Sequence, residues 1–337
     1  MSGQVRVTRL GGAFGCALTV DVEEWYHNCL VPSYVQPRLR PALPVELDRL
    51  LPALLGLLDE AGCRATFFVL GEVAERLPGR VREIARAGHE VGSHGFNHLR
   101  ACERTATDFE RDIRRSKALL EDLLGEPVRG FRAPEWSLRT RKSPLLPLVA
   151  AAGFEYDSSL VPYPFSGRRS NPVFASRLSW DGPPADTAPA SPGNGGAGRS
   201  GAARTVQETA HHELLEFPPF TFGGVSRVPA GSWTGRLVHP ARLVAAAERH
   251  LRRGGLPVAV VHPWEISGRP TPGPLAGLAR FIHETGRATY LPKLRHILAA
   301  LPWGSVSEAA GLRAGAPAAP AEDASSVPEP VSVFALS

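Results

Sequence analysis

No run of about 18 consecutive apolar residues occurs in the chain, so no segment is read as crossing a membrane. The opening stretch MSGQVRVTRLGGAFGCALTV has no basic segment followed by a long apolar one, and no secretory leader is read there. Cysteine is scarce: the 337 residues hold four, Cys16, Cys29, Cys63 and Cys102, none in a CxxC pair. That excludes a disulfide framework and a zinc ribbon, and leaves buried free thiols in a reducing compartment as the expectation. A basic stripe interleaved with aromatics is also missing. The formal charge of +5 is spread over arginines such as those of ERHLRRGG and GRRS, so nucleic acid is not an expected partner. No internal repeat is found. These absences point to a cytoplasmic globular protein.

What is present is a long alternation of apolar runs and amphipathic stretches. CALTVDV, RATFFVLG, HEVGSH, PVRGFRAP, FEYDSS, LLEFP and LPVAVVHP read as strands or strand ends. Between them VELDRLLPALLGLLDEAG, TATDFERDIRRSKALLEDLLG, SPLLPLVAAAG and HPARLVAAAERHLRRGG have apolar residues at helical spacing, and EVAERLPGRVREIARAG reads as a helix broken near Pro78. About seven βα units in this order predict an α/β fold, a parallel sheet closed or nearly closed into a barrel. The organisation read from composition is an N-terminal arm over residues 1–14, a barrel over 15–305 and a disordered tail over 306–337. Residues 182–208, GPPADTAPASPGNGGAGRSGAARTVQE, are too poor in apolar bulk to offset their ordering entropy and are expected to form a flexible loop.

In such a barrel, function gathers where strands end and loops begin. The polar residues there are Asp21 and Glu23, His94 and His98, Arg132, Asp157 and His262, with Trp264 and Glu265 just beyond. His94 and His98 are four apart, so on one helical turn both imidazoles reach a single ion. A carboxylate completes such a set and leaves positions open for water and substrate. Asp21 and Glu23 are two apart on a strand and share a face, so either can be that ligand while the other stays free as a base. A waiting divalent cation also explains why a buried strand ends in carboxylates, which would otherwise be costly. Each residue has a plainer reading: HxxxH arises by chance on surfaces, a lone histidine after VAVV is usually a core residue, and Asp157 before two serines suits a cap. The conjunction carries the weight.

The order of a strand ending in Asp, then SHGFNH, then RAP, then a late strand ending in His resembles the polysaccharide deacetylases of the NodB-homology type, the family-four carbohydrate esterases. VDVEEWYH, FRAPEWS, EYDSSLVP and VVHPWEI look like a subgroup found with exopolysaccharide and exosortase gene clusters, which carries its own C-terminal extension. The resemblance covers roughly residues 15–305, apart from the Gly/Pro-rich loop. It implies a distorted (β/α)7 barrel and metal-dependent removal of acetyl groups from N-acetylhexosamine units of a glycan, with Zn2+ as the ion. Residue by residue, it implies that Asp21 is the general base, that His94 and His98 are metal ligands, and that Arg132 braces the base. His262 would be the general acid and Asp157 the residue tuning it. Val22 stands where the family often has its metal-binding Asp; some members use an Asp-x-Asp arrangement instead, and Glu23 would then serve as ligand. Glu135 stands where the motif has a substrate-contacting Tyr.

The chemistry is consistent with these types. An amide needs a polarised carbonyl, a base for the attacking water and an acid for the leaving amine. Trp25, Tyr26, Trp136 and Trp264 offer flat faces for sugar rings. The expected partner is an N-acetylated polysaccharide or a lipid-linked oligosaccharide met at the inner face of a membrane, with peripheral association at most. The rivals are a C–N hydrolase of small cyclic amides or imides on the same scaffold, and an inactive carbohydrate-binding protein. A binding module has no need of both acid and base.

Overall fold

Cys16–Val22 is buried at every position, the pattern of a strand covered on both faces, as parallel barrel strands are. The structure, a computed structural model, describes residues 5–12, 14–27, 40, 42–163, 168–182, 210–222, 227–272, 275 and 277–312. Its strands in chain order are β1 (Arg6–Arg9), β2 (Cys16–Val22), β3 (Thr66–Val69), β4 (Glu90–Ser93), β5 (Gly130–Phe131), β6 (Tyr156–Asp157), β7 (Ser176–Gly182), β8 (Ala210–Glu216), β9 (Thr221–Phe222), β10 (Val228–Pro229), β11 (Val258–Val261) and β12 (Trp303–Gly304). The helices are α1 (Leu47–Glu60), α2 (Gly71–Arg76), α3 (Pro78–Arg86), α4 (Ala106–Leu124), α5 (Leu146–Ala151), α6 (Ser232–Leu237), α7 (Pro240–Arg252), α8 (Gly277–Glu284), α9 (Tyr290–Ala300) and α10 (Val306–Ala309).

Strands β11, β2, β3, β4, β5, β6 and β8 lie side by side in that order, each neighbouring pair parallel. Beyond β8 the chain reaches β11 through a parallel bridge between Pro219 and Val258, with Phe220 N donating to Val258 O at 3.0 Å. Seven parallel strands thus form a ring closed by a minimal contact, a distorted (β/α)7 barrel. On the outer edge of β8, β7 and then β1 add an antiparallel flap.

Local sequence explains the helices around the ring. Helix α1 buries Leu47, Leu50, Leu51, Leu54, Leu57 and Leu58 on one face, and Glu24 accepts the N–H groups of Glu46 and Leu47, both at 2.9 Å, at its N-terminus. Helix α4 starts at Thr105, which accepts Asp108 N at 3.1 Å, and stops at Gly125 in the left-handed region at φ 71°. Pro78 ends α2 and opens α3 at its first position, as the sequence predicts.

Three expectations change. Arg6–Arg9, read as an arm, pairs with β7 as a strand of the sheet. Val306–Ala309, assigned to the tail, forms α10, with Val306, Ser307 and Ala309 buried. Ser307 reaches Glu90, so this turn plugs one end of the barrel. Of the thiols, Cys16 and Cys63 are buried, Cys102 is exposed, and Cys29 lies outside the described residues. The 182–208 loop, but for its first residue, and the tail beyond residue 312 also lie outside them.

The ring is tightest where Gly231 bridges Val260 with φ 121°. A Cβ there would sit 2.1 Å from Val260 O. Gly231→Ala is expected to cost at least about 2 kcal/mol through backbone strain and overpacking. Urea unfolding checks this; an unchanged midpoint would show that the bridge yields freely.

Candidate active site

Alternation along β2 puts Thr19 and Asp21 on one face of the strand, and both meet Arg132, which follows β5. Arg132 is wholly buried. Its Nη1 donates to Asp21 Oδ1 at 2.7 Å and Thr19 Oγ1 at 2.8 Å, its Nη2 to Ser158 Oγ at 2.8 Å, and its Nε to Ser158 O at 3.1 Å. The guanidinium also lies over the Phe68 ring, 4.3 Å from its centroid. Asp21 Oδ1 is thereby fixed, and Oδ2 faces His262 Nε2 at 3.9 Å.

Glu23, His94 and His98 converge next to this pair. One ligand atom from each lies within 4.8 Å of the others, and all three residues are buried. The helical turn expected for His94 and His98 does not form. Both sit in the loop after β4, where Gly95 at φ 76° and His98 at φ 52° fold the segment back on itself. His94 Nδ1 donates to Arg132 O at 2.9 Å, which leaves Nε2 with its lone pair toward the cluster. Burial lowers the His94 pKa to about 4, so the ring is neutral, as a ligand must be. Glu23 Oε2 is buried and accepts no hydrogen bond of normal geometry, although His98 Nε2 stands 2.6 Å away. Burial would raise the Glu23 carboxyl, but His98, His262 and His94 together outweigh it and hold it well below the usual range. Two imidazoles and an orphaned buried carboxylate oxygen suit a divalent ion such as zinc.

His262 stands at the C-terminal end of β11 with Nε2 3.2 Å from Glu23 Oε1. Burial lowers its pKa, but Glu23, Glu265 and Asp21 overcompensate and raise it to about 9, so the ring is protonated at neutral pH.

Residues 44–156 match the family model for polysaccharide deacetylase, and residues 187–311 match a domain of unknown function (DUF3473). The deacetylase segment holds His94, His98 and Arg132; Asp21 and Glu23 precede it, and His262 lies in the second segment. A peptidoglycan deacetylase of Helicobacter pylori is 35% identical over 111 residues, 33% of this chain and 37% of the relative. A chitooligosaccharide deacetylase of Azorhizobium caulinodans is 36% identical over 89 residues, 26% of this chain and 42% of the relative. The chain thus spans well under half the length of either. A solved structure of a putative polysaccharide deacetylase from Mycobacterium smegmatis overlaps 90% of this chain and 93% of its own at 22% identity and a TM-score of 0.49.

Several residues expected at this site are placed differently. Asp157 is not placed to tune His262. Its carboxylate accepts from Ser159 Oγ at 2.6 Å and Ser159 N at 3.2 Å, and it pairs across the sheet with Glu216. His262 Nδ1 instead faces Glu265 Oε2 at 3.1 Å. Trp25 is fully buried and its Nε1 donates to Pro44 O at 3.2 Å, so it is a core residue with no face for a sugar. Trp264 is also buried, stacked on His262 with centroids 5.3 Å apart. Trp136 and Glu135 are partly exposed beside His98, in consecutive left-handed conformations at φ 51° and 53°. Glu135 Oε2 pairs with Arg100 Nε at 2.6 Å, while Glu135 Oε1 and Trp136 Nε1 have no hydrogen-bond partner. Sequence reasoning gave Glu265 no role, although its place three residues after His262 was a signal; Thr19 and Ser158 carried none.

Burial pushes both Asp157 and Glu216 up; the Asp157 charge raises Glu216 further, whereas a hydrogen bond from Glu216 lowers Asp157, so the pair keeps a proton beyond the usual carboxylate range, held on Glu216. A carboxyl raised in the folded state stabilises the fold below its ordinary value, and that contribution is lost as pH climbs through the raised one. Glu216→Gln cannot ionise and is expected to flatten the loss of stability at rising pH. Urea midpoints measured across neutral to alkaline pH check this; a slope equal to the wild type would refute it.

Proposed function

We propose that this protein is a metal-dependent hydrolase that removes N-acetyl groups from N-acetylhexosamine units of an exopolysaccharide or its lipid-linked precursor. The observation that carries the reading is the convergence of Glu23, His94 and His98 beside an Arg132-braced Asp21 and a protonated His262. Glu23, His94 and His98 would hold the cation, with zinc favoured by two imidazoles and one carboxylate. When bound there, the ion supplies Lewis-acid polarisation of the amide and acidification of the attacking water.

The chain's own residues do the rest. Asp21, with Oδ1 fixed by Arg132, takes the proton of the attacking water on Oδ2. His262 gives its Nε2 proton to the leaving nitrogen, and each group contributes about 10²- to 10⁴-fold. Trp136 and Glu135, partly exposed beside His98, would line the approach of a glycan. The two relatives are named for peptidoglycan and chitooligosaccharide, which supports an acetylated amino sugar as the target. The second matched segment, a type found with exopolysaccharide-associated deacetylases, supports an exopolysaccharide. A lipid-linked precursor would be met at the inner face of the membrane, and recovery of the protein from the periplasm would overturn that part.

Acetate release from N-acetylglucosamine oligomers, abolished by a chelator and restored by Zn2+, is the test. His94→Ala and His98→Ala are expected to lose zinc binding in calorimetry. Asp21→Asn and His262→Ala should keep it and lose about 10²- to 10⁴-fold in kcat. Turnover of small cyclic amides alone, or glycan binding without acetate release, would reject the reading.

A further inference from the structure

We infer that Glu265 and Arg236, from the segment without an assigned role, form the buried clamp that aims the catalytic acid His262; this rests on the proposed function above. The sequence His262-Pro263-Trp264-Glu265 makes a tight turn at the end of β11, spanning Pro263–Ile266 as a 3-10 helix. The turn brings the Glu265 carboxylate back under its own start. Oε2 accepts His262 N at 2.9 Å and faces His262 Nδ1 at 3.1 Å. A carboxylate only accepts, so Nδ1 carries a proton and Nε2 is directed at Glu23 and Asp21.

Glu265 is completely buried, and a buried carboxylate needs a counter-charge. Arg236 of α6 supplies it, with Nε 3.0 Å from Glu265 Oε1. Arg236 is itself held from the far side: Nη1 donates to His283 O at 2.5 Å and Thr285 O at 3.0 Å, and Nη2 to Ile282 O at 3.3 Å. These carbonyls belong to the C-terminal end of α8, the negative end of its dipole. Gly286, at φ 81°, lets that turn approach; a Cβ there would lie 2.9 Å from Arg236 Cβ.

Trp264 adds a wall. It stacks on His262 at an interplanar angle of 26°, takes the Arg236 guanidinium over its ring at 5.2 Å, and receives the edge of His283 at 4.2 Å. The carboxylate fixes rotation of the imidazole and the indole fixes its tilt. Asp157, the residue the family resemblance offered for this duty, is occupied by Ser159. Glu265 and Arg236 are positioning residues: they act through His262 and touch no reacting atom.

The test uses the zinc-loaded full chain with Glu265→Gln, which keeps shape and loses charge, alongside Arg236→Lys and Arg236→Met. Glu265→Gln is expected to lower kcat on N-acetylglucosamine oligomers by about 10²-fold or more while KM stays within about twofold. Arg236→Lys should retain more kcat than Arg236→Met. Long-range 1H–15N spectra of the His262 ring should show protonated Nδ1 in the wild type and a mixture of tautomers in Glu265→Gln. Wild-type kcat in Glu265→Gln, an unchanged ring spectrum, or kcat and melting temperature falling in parallel across the three variants would overturn the clamp. If the wild type releases no acetate, the deacetylase reading fails, and the ring spectra still decide whether the clamp exists.

Discussion

Arg132 meets Asp21 at 2.7 Å inside the barrel, both residues buried, and the mouth is arranged to keep that pair satisfied. β5 and β2 are not neighbours in the ring, so the guanidinium crosses the interior and ties two walls together. Its remaining donors end on Thr19 and Ser158, and its face rests on Phe68. A planar fork with several donors does this; an ammonium group could not serve all of these acceptors from one position.

Around this centre, acidic residues close together in sequence serve different ends. Asp21 and Glu23 turn into the mouth, whereas Glu24 turns out to hold the start of α1. Burial outweighs the two N–H groups that Glu24 accepts and raises its pKa to about 7. His27, next in the same segment, accepts Glu24 N on Nδ1 and stacks on His98 with centroids 5.4 Å apart. Through Glu72 it is joined to Arg40. One short segment thereby supplies two carboxylates of the mouth, the group that holds the start of α1 and a ring that stacks on His98.

The sequence made legible what rests on pattern. β2, β3, α4 and α7 follow from apolar runs or helical spacing, and the seven-strand ring follows from their order. The β1–β7 flap could not be read, because RVTR is exposed along its length and carries no alternation. α10 was lost because three buried positions are too few to show a period. At the mouth, residue type identified Asp21, Glu23, His94, His98, Arg132 and His262. Spacing suggests a helical turn for the two histidines, whereas left-handed backbone in a loop brings them together. Trp25 and Trp264 are core residues that sequence alone does not separate from sugar platforms, because an aromatic side chain suits either. Arg236 left no trace, since its partners come from α8 and from beyond β11 in the chain.

The ring also has a direction in time. β2 is the first strand of the ring and β11 the last; the bond from Thr19 Oγ1 to Ala259 O spans 240 residues. A nascent chain that has made only its first half holds Asp21, Glu23, His94, His98 and Arg132 but neither His262 nor the strand that closes the ring. Synthesis from N- to C-terminus therefore withholds the complete candidate site until nearly the whole barrel has left the ribosome. The late insertion of β11 between β2 and the end of β8, a pairing of very high contact order, is the natural slow event in maturation.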